Sequence, residues 1–218
     1  MKPRNGKILC FDLDGTLIDS VADICTAVNL TRQHYGLAFL PPDIIRSHVG
    51  HGVRHLLTNC FQDCAQPPEL EEMVAVQQEL YKAHTLDTTH LYPGVLEALA
   101  ELREEGYAMG IISNKPQPVS EIVCEGLGLM PYLDVIYGGG SCEHLKPHPE
   151  ALLLAMERCH CQPEGSWMVG DHKTDLGAAR AAGLKGCFCT YGYGSQGDLP
   201  ANAVIPHFSE LPNVILCR

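Results

Sequence analysis

No apolar run in the 218-residue chain approaches the roughly 20 residues that a membrane helix needs, so no membrane role is expected. The opening MKPRNGK leads into a short strand-like run. It lacks the apolar core and the small-residue cleavage site of a signal peptide, so a cytoplasmic location is expected. No cluster of Lys or Arg occurs either. Fifteen basic residues stand against 26 acidic ones, for a net charge of −11, which argues against the basic footprint of a nucleic-acid binder. An anionic substrate must then be attracted locally, by a metal or by a few placed cations. No internal repeat and no low-complexity tract is present. Cysteine, by contrast, is abundant and odd in number, at 11 residues. Without a secretory signal, free thiols are the default. Neither CHC (Cys159 to Cys161) nor CFC (Cys187 to Cys189) has the C-x-x-C spacing of a zinc knuckle. In a strand, the two thiols of CFC would share one face and suit a buried position.

Residues 7–12 read as a buried strand. DSVADICTAVNLTRQHYG reads as a helix closed by Gly36. Pro41-Pro42 and Pro67-Pro68 open further helical segments, PPDIIRSHVG and VRHLLTNCF joined by GHG, then PPELEEMVAVQQELYKAH. Residues 17–84 are thus expected to be nearly all helical. After TTHLYPG the pattern alternates: helix GVLEALAELREEG, strand YAMGIIS, helix PVSEIVCEGLG, strand DVIYGG, helix PEALLLAMERC, strand SWMVGD, helix KTDLGAARAAG, strand GCFCTYG. Such alternation predicts βαβ units and a parallel sheet. The expected fold is α/β, a doubly wound, Rossmann-like parallel sheet. Residues 1–16 and 85–218 form its core, and 17–84 form an inserted helical cap.

Sites in such sheets lie at the carboxyl ends of the strands. Strand one ends in Asp12, with Asp14 just beyond. Strand two ends in Ser113-Asn114-Lys115. Lys146 follows strand three, and strand four ends at Gly170-Asp171, with Asp175 in the next turn. Each has an ordinary alternative: a helix cap for the aspartates, a turn for the serine, a solvated loop for the lysine. Their joint occurrence at four strand ends is hard to obtain from capping preferences. Hard oxygen ligands from Asp12 and Asp171 suit Mg²⁺. A cation there would screen carboxylate from phosphate and let a carboxylate attack phosphorus. A second carboxyl two residues on can protonate a leaving alkoxide and later deprotonate water. Ser113 and Lys146 can hold the phosphoryl oxygens, and Gly15 lets the backbone bend close to a ligand.

FDLDGTLIDS, IISNKP, LKPHPE and MVGDHKTDLGAARAAG together resemble the four motifs of the haloacid dehalogenase-like hydrolase superfamily, over essentially the whole chain. The resemblance implies that Asp12 forms an aspartyl-phosphate and that Asp14 is the general acid/base and lends its backbone carbonyl to Mg²⁺. It implies that Thr16 lies in a turn that moves with the cap, and that Ser113 and Lys146 hold the phosphoryl group and nucleophile. Asp171 would bind Mg²⁺, with Asp175 supporting it. Gly15, Thr16 and Asn114 are grouped with substrate binding. Ser113 stands where many relatives have Thr, which preserves the hydroxyl.

Asp14 counts against the dehalogenase branch, whose reaction has no alkoxide to protonate. The phrases ISNKP, KPHPEALLLA and TYGYG look most like the phosphoglycolate phosphatase branch. Sugar-phosphate phosphatase, pyrophosphatase and phosphomutase are the competing enzyme readings, and a phosphate-ester-binding regulatory module is the non-enzyme one. The expected partner is a small phosphorylated metabolite, and the oligomeric state is not readable. Within the cap, HVGHGVRH stands out. Gly50 and Gly52 break the helices, and His51 and Arg54 flank the turn. Arg54 and His51 are candidates to read a carboxylate on the leaving group, against the alternative of two surface residues.

Overall fold

The computed structural model describes residues 2–217. The first strand, β1 (Ile8–Phe11), is buried along its whole length. Both of its faces are covered. Ile8 and Cys10 join Ala151, Leu152 and Ala155 on one side, while Leu9 and Phe11 join Leu99, Val119 and Phe208 on the other. This two-residue alternation between two apolar layers is what a central parallel strand requires.

The chain leaves β1, passes a short strand β2 (Ile18–Asp19), and enters the helices α1 (Val21–His34), α2 (Pro42–Arg46), α3 (Val53–Cys60) and α4 (Leu70–Ala83). It returns through β3 (His90–Leu91), which pairs antiparallel with β2. That ribbon lies at the base of the helical insertion. Asp23 pins it: its carboxylate accepts from the amides of Thr88 and Thr89 at 3.0 and 2.8 Å and from both their hydroxyls.

The alternating part follows: α5 (Val95–Glu104), β4 (Ala108–Pro116), α6 (Gln117–Gly126), β5 (Val135–Gly139), α7 (Glu150–Cys159), β6 (Trp167–Gly170), α8 (Lys173–Ala182), β7 (Lys185–Cys189), β8 (Ala203–Ile205) and α9 (Leu211–Leu216). The sheet runs β5-β4-β1-β6-β7-β8, with every neighbour parallel. This is the doubly wound order. Its direction reverses between β1 and β6, so the loops after those strands part around a crevice. The α/β expectation holds. The structure adds β2, β3, β8 and α9 to the sequence reading and extends β4 three residues past the expected strand, through Asn114 and Lys115. CFC behaves as expected: Cys187 and Cys189 are both buried in the same apolar layer. Among the described residues every cysteine is a free thiol.

Candidate active site

Asp12 leaves the end of β1 with its amide still in the sheet, bonded to Val169 O at 3.0 Å. Its Oδ1 accepts from the amide of Leu13 at 2.7 Å and lies 3.1 Å from Lys146 Nζ. Lys146 also donates to Asp175 Oδ1 at 2.7 Å, and Asp175 Oδ2 accepts from the amide of His172 at the start of α8 at 3.0 Å. Asp171, at the end of β6, accepts through Oδ2 from the amides of Tyr193 and Gly194, both at 2.8 Å, and through Oδ1 from Thr16 Oγ1 at 3.2 Å. Carboxylate oxygens of Asp12, Asp171 and Asp175 lie within 4.8 Å of one another.

These four side chains carry three negative charges against one positive charge, and all are buried. Burial works against the Lys146 ammonium, but Asp12 and Asp175 outweigh it and its pKa is raised. Burial first, and Asp12 second, push Asp171 up to about 6. Burial also raises Asp175, although Lys146 opposes it. A divalent cation in this all-oxygen nest would offset that uncompensated charge, so the donor set fits a hard cation such as Mg²⁺.

The backbone is shaped around Asp171. Gly15 has φ +81°, and a Cβ on it would fall 2.7 Å from Cγ of Asp171. No residue with a side chain fits. The ring hydroxyls of the TYGYG segment tie down the same turn. Tyr191 OH donates to Thr16 O at 2.8 Å, and Tyr193 OH accepts from the amide of Ser20 at 2.8 Å.

Asp14 points elsewhere. Its Oδ1 accepts from Ser20 Oγ at 2.6 Å and from Lys115 Nζ at 2.8 Å. Lys115 reaches across to the cap and also donates to Tyr81 OH on α4. Burial disfavours its ammonium, but Asp14 and Tyr81 overcome this and raise its pKa. Asp12, Asp14, Ser113 and Lys115 from the core close with Gln77 and Tyr81 from the cap around a cavity of ≈ 50 Å³.

The remaining expected residues fall in different places. Ser113 is buried in the cavity wall, and its Oγ accepts from the amide of Lys115 at 3.3 Å. Asn114 acts as a brace. Its Nδ2 donates to Gly50 O at 2.9 Å and to Lys146 O at 3.1 Å, and its Oδ1 accepts from the amide of Lys146 at 2.9 Å. It thereby joins the cap loop to the lysine loop. Gly50 and Gly52 do break the cap helices, at φ +102° and +89°. His51 lies between the rings of His55 and His172, 4.5 Å from each, and its buried Nδ1 has no partner. Arg54 is exposed and forks onto Glu71 of α4, with Nη2 to Oε2 at 2.7 Å. The structure does not bring Arg54 to the cavity that holds Asp12 and Asp14.

Lys115, Gln77 and Tyr81 line the cavity but were given no role from the sequence. Lys115 was visible in SNKP beside Ser113. Gln77 and Tyr81 lie one helical turn apart on the buried face of α4, with Met73 and Val74. Gln77 is the polar member of that apolar stripe, which was the available signal.

The sequence model of the family described as "Haloacid dehalogenase-like hydrolase" matches residues 9–189. The chain belongs to the haloacid dehalogenase-like hydrolases. A phosphoglycolate phosphatase of Chromobacterium violaceum is 35% identical over 215 residues, covering 97% of both chains. Another, of Aquifex aeolicus, is 34% identical over 203 residues, covering 93% of this chain and 91% of its own. A solved haloacid dehalogenase-like hydrolase from Bacteroides fragilis superposes with a TM-score of 0.85 at 27% identity, over 94% of this chain and 99% of that one. The sheet order and the inserted helices are thus those of a known hydrolase fold.

Proposed function

We propose that the protein is a Mg²⁺-dependent phosphatase of small phosphate monoesters and that phosphoglycolate is its substrate. The observation that carries the reading is the buried set Asp12, Lys146, Asp171 and Asp175, beside a cavity lined by Asp12, Asp14, Ser113, Lys115, Gln77 and Tyr81. The names of the relatives supply the particular ester. Mg²⁺ held by Asp12 and Asp171, with Asp175 beside them, would neutralise phosphate oxygens when bound.

The side chains would share the work as follows. Asp12, fixed by the Leu13 amide and Lys146, attacks phosphorus and becomes the aspartyl-phosphate. Ser113 donates to a phosphoryl oxygen. Asp14 carries the proton to the leaving alkoxide and takes one from the water that attacks the intermediate. An incoming phosphate dianion would compete with Asp14 for Lys115. Gln77 lines the leaving-group side. Half a turn of its amide offers Oε1 to a hydroxyl or Nε2 to a carboxylate.

The test is phosphate release from phosphoglycolate, a sugar phosphate, pyrophosphate and p-nitrophenyl phosphate, with Mg²⁺ and after chelation. Turnover should stop on chelation and return with Mg²⁺. Asp12→Asn should abolish it with the fold retained. Asp14→Asn should lower it by about 10²–10⁴-fold on poor leaving groups and much less on p-nitrophenyl phosphate. Turnover that survives exhaustive chelation would contradict the metal reading. A preference for another ester would move the assignment to that ester.

A further inference from the structure

A second group of metal-ligating side chains lies outside the aspartate nest, on the surface of the loop that carries Lys146. His144 Nδ1 is 3.1 Å from Glu150 Oε2. The rings of His144 and His148 stack with centroids 4.2 Å apart and planes 26° from parallel. One ligand atom from each of the three residues lies within 4.8 Å of the others. Two donors on one ion at about 2.1 Å stand roughly 3–3.5 Å from each other, so the His144–Glu150 pair already has the spacing of co-ligands. Both imidazoles are exposed, which leaves an entry path.

The donors differ from those of the aspartate nest. Two imidazoles and one carboxylate suit a borderline cation such as Zn²⁺, whereas three carboxylates suit Mg²⁺. Backbone bonds hold the three residues together. Glu150 Oε2 accepts from the amide of His144 at 2.8 Å, and the amide of His148 donates to Leu145 O at 3.0 Å. His148 Nδ1 accepts from the amide of Glu150 at 3.3 Å, a bond that a metal ion at that nitrogen would replace. The three side chains thus sit on both sides of Lys146 in sequence, with Glu150 anchored at the first turn of α7.

We propose that His144, His148 and Glu150 form a second metal site, for Zn²⁺ or a similar borderline divalent cation, that clasps the loop presenting Lys146. An ion bound to all three fixes residues 144–150 at both ends. Lys146 Nζ is then held over Asp12 and Asp175 from outside the site as well as through Asn114. The binding claim does not depend on which ester the protein hydrolyses.

The experiment is a Zn²⁺ titration of the full chain against a chromophoric chelator, in excess Mg²⁺. It compares the native chain with His144→Asn, His148→Asn and Asp171→Asn. Asparagine at 148 keeps an acceptor for the Glu150 amide, and circular dichroism checks that each variant is folded. The native chain should take up one equivalent of Zn²⁺. Each histidine variant should bind at least about tenfold more weakly, while Asp171→Asn should bind as the native chain does. Co²⁺ in the same site should give a spectrum without a thiolate charge-transfer band. Amide exchange of His144 and His148 should slow when Zn²⁺ is added to the native chain and not in His148→Asn. Equal Zn²⁺ affinity in the native and histidine-substituted chains, or a thiolate band, or loss of binding in Asp171→Asn alone, would overturn the proposal.

Discussion

Asp171 shows how far the buried aspartate corner depends on positive charge. Its carboxylate is buried and accepts three hydrogen bonds, yet burial and the Asp12 charge still push its pKa up to about 6 from an ordinary 3.8. Between those values the folded chain keeps a proton that the unfolded chain has released. The group's contribution to stability is therefore complete below pH 4 and is lost as pH rises through 6. The loss is on the order of 3 kcal/mol. Asp171→Asn preserves the shape and the acceptor and removes the charge. In metal-free buffer at pH 7 the variant should be more stable than the native chain by about 1–3 kcal/mol in urea unfolding, and the gap should close near pH 4. Saturating Mg²⁺ should reverse the order, because only the native carboxylate gains from the cation. A gap that stays constant from pH 4 to pH 7, with and without Mg²⁺, would contradict both the raised pKa and the metal role.

Helix α4 is the element that faces Asp12 and Asp14 across the cavity, which in the proposed reaction is the leaving-group side. Gln77 and Tyr81 face the cavity from it, while Arg54 of α3 is turned outward and engaged by Glu71 on the opposite side of the same helix pair. Gln77→Leu should cut kcat/KM on phosphoglycolate by about 10- to 150-fold, the value of one hydrogen bond to a charged group, and should barely change hydrolysis of p-nitrophenyl phosphate. Arg54→Met should leave the ratio between the two esters within about twofold, since an exposed ion pair contributes little. A large selective loss in Arg54→Met would restore the carboxylate-reading role to that residue. The contrast between the two residues marks where the sequence could be read. Strands ending in Asp12 and Asp171 were visible because fully buried parallel strands leave long apolar runs and stop at their polar ends. Gly50 and Gly52 were visible as breaks for the same local reason. The ribbon β2–β3 was not visible, because two-residue strands carry no period. Strand β8 was equally silent, being three residues long and half exposed. Gln77 and Arg54 needed tertiary information: a helix's apolar stripe names its buried face but not what that face meets, and Arg54's partner Glu71 lies 17 residues away.

Across the whole molecule, the cavity has walls from the α/β core and from the inserted helices, which two chain crossings join, so relative movement of the two would change access to it. The crossings are paired as the β2–β3 ribbon and pinned by Asp23, which makes the ribbon the natural pivot. Closure is held by contacts that span the lobes: Asn114 Nδ2 to Gly50 O at 2.9 Å, the His51–His172 ring contact at 4.5 Å, and Lys115 to Tyr81 OH. The last of these bears most on the proposed binding, because Lys115 is also the cation beside Asp14. A chain with a net charge of −11 has few other cations with which to hold an anion. Tyr81→Phe keeps the ring against Lys115 and removes only the hydroxyl. The closed state should weaken by the value of one hydrogen bond to an ammonium, so KM should rise by about tenfold. The rise should be the same on phosphoglycolate and on p-nitrophenyl phosphate, since closure precedes recognition of either leaving group, and kcat should not fall. This pattern is the opposite of the one expected for Gln77→Leu, although both residues project from the same face of α4. A loss confined to phosphoglycolate would instead place Tyr81 among the groups that read the leaving group, and a loss in kcat without a change in KM would tie its hydroxyl, through Lys115, to proton transfer at Asp14.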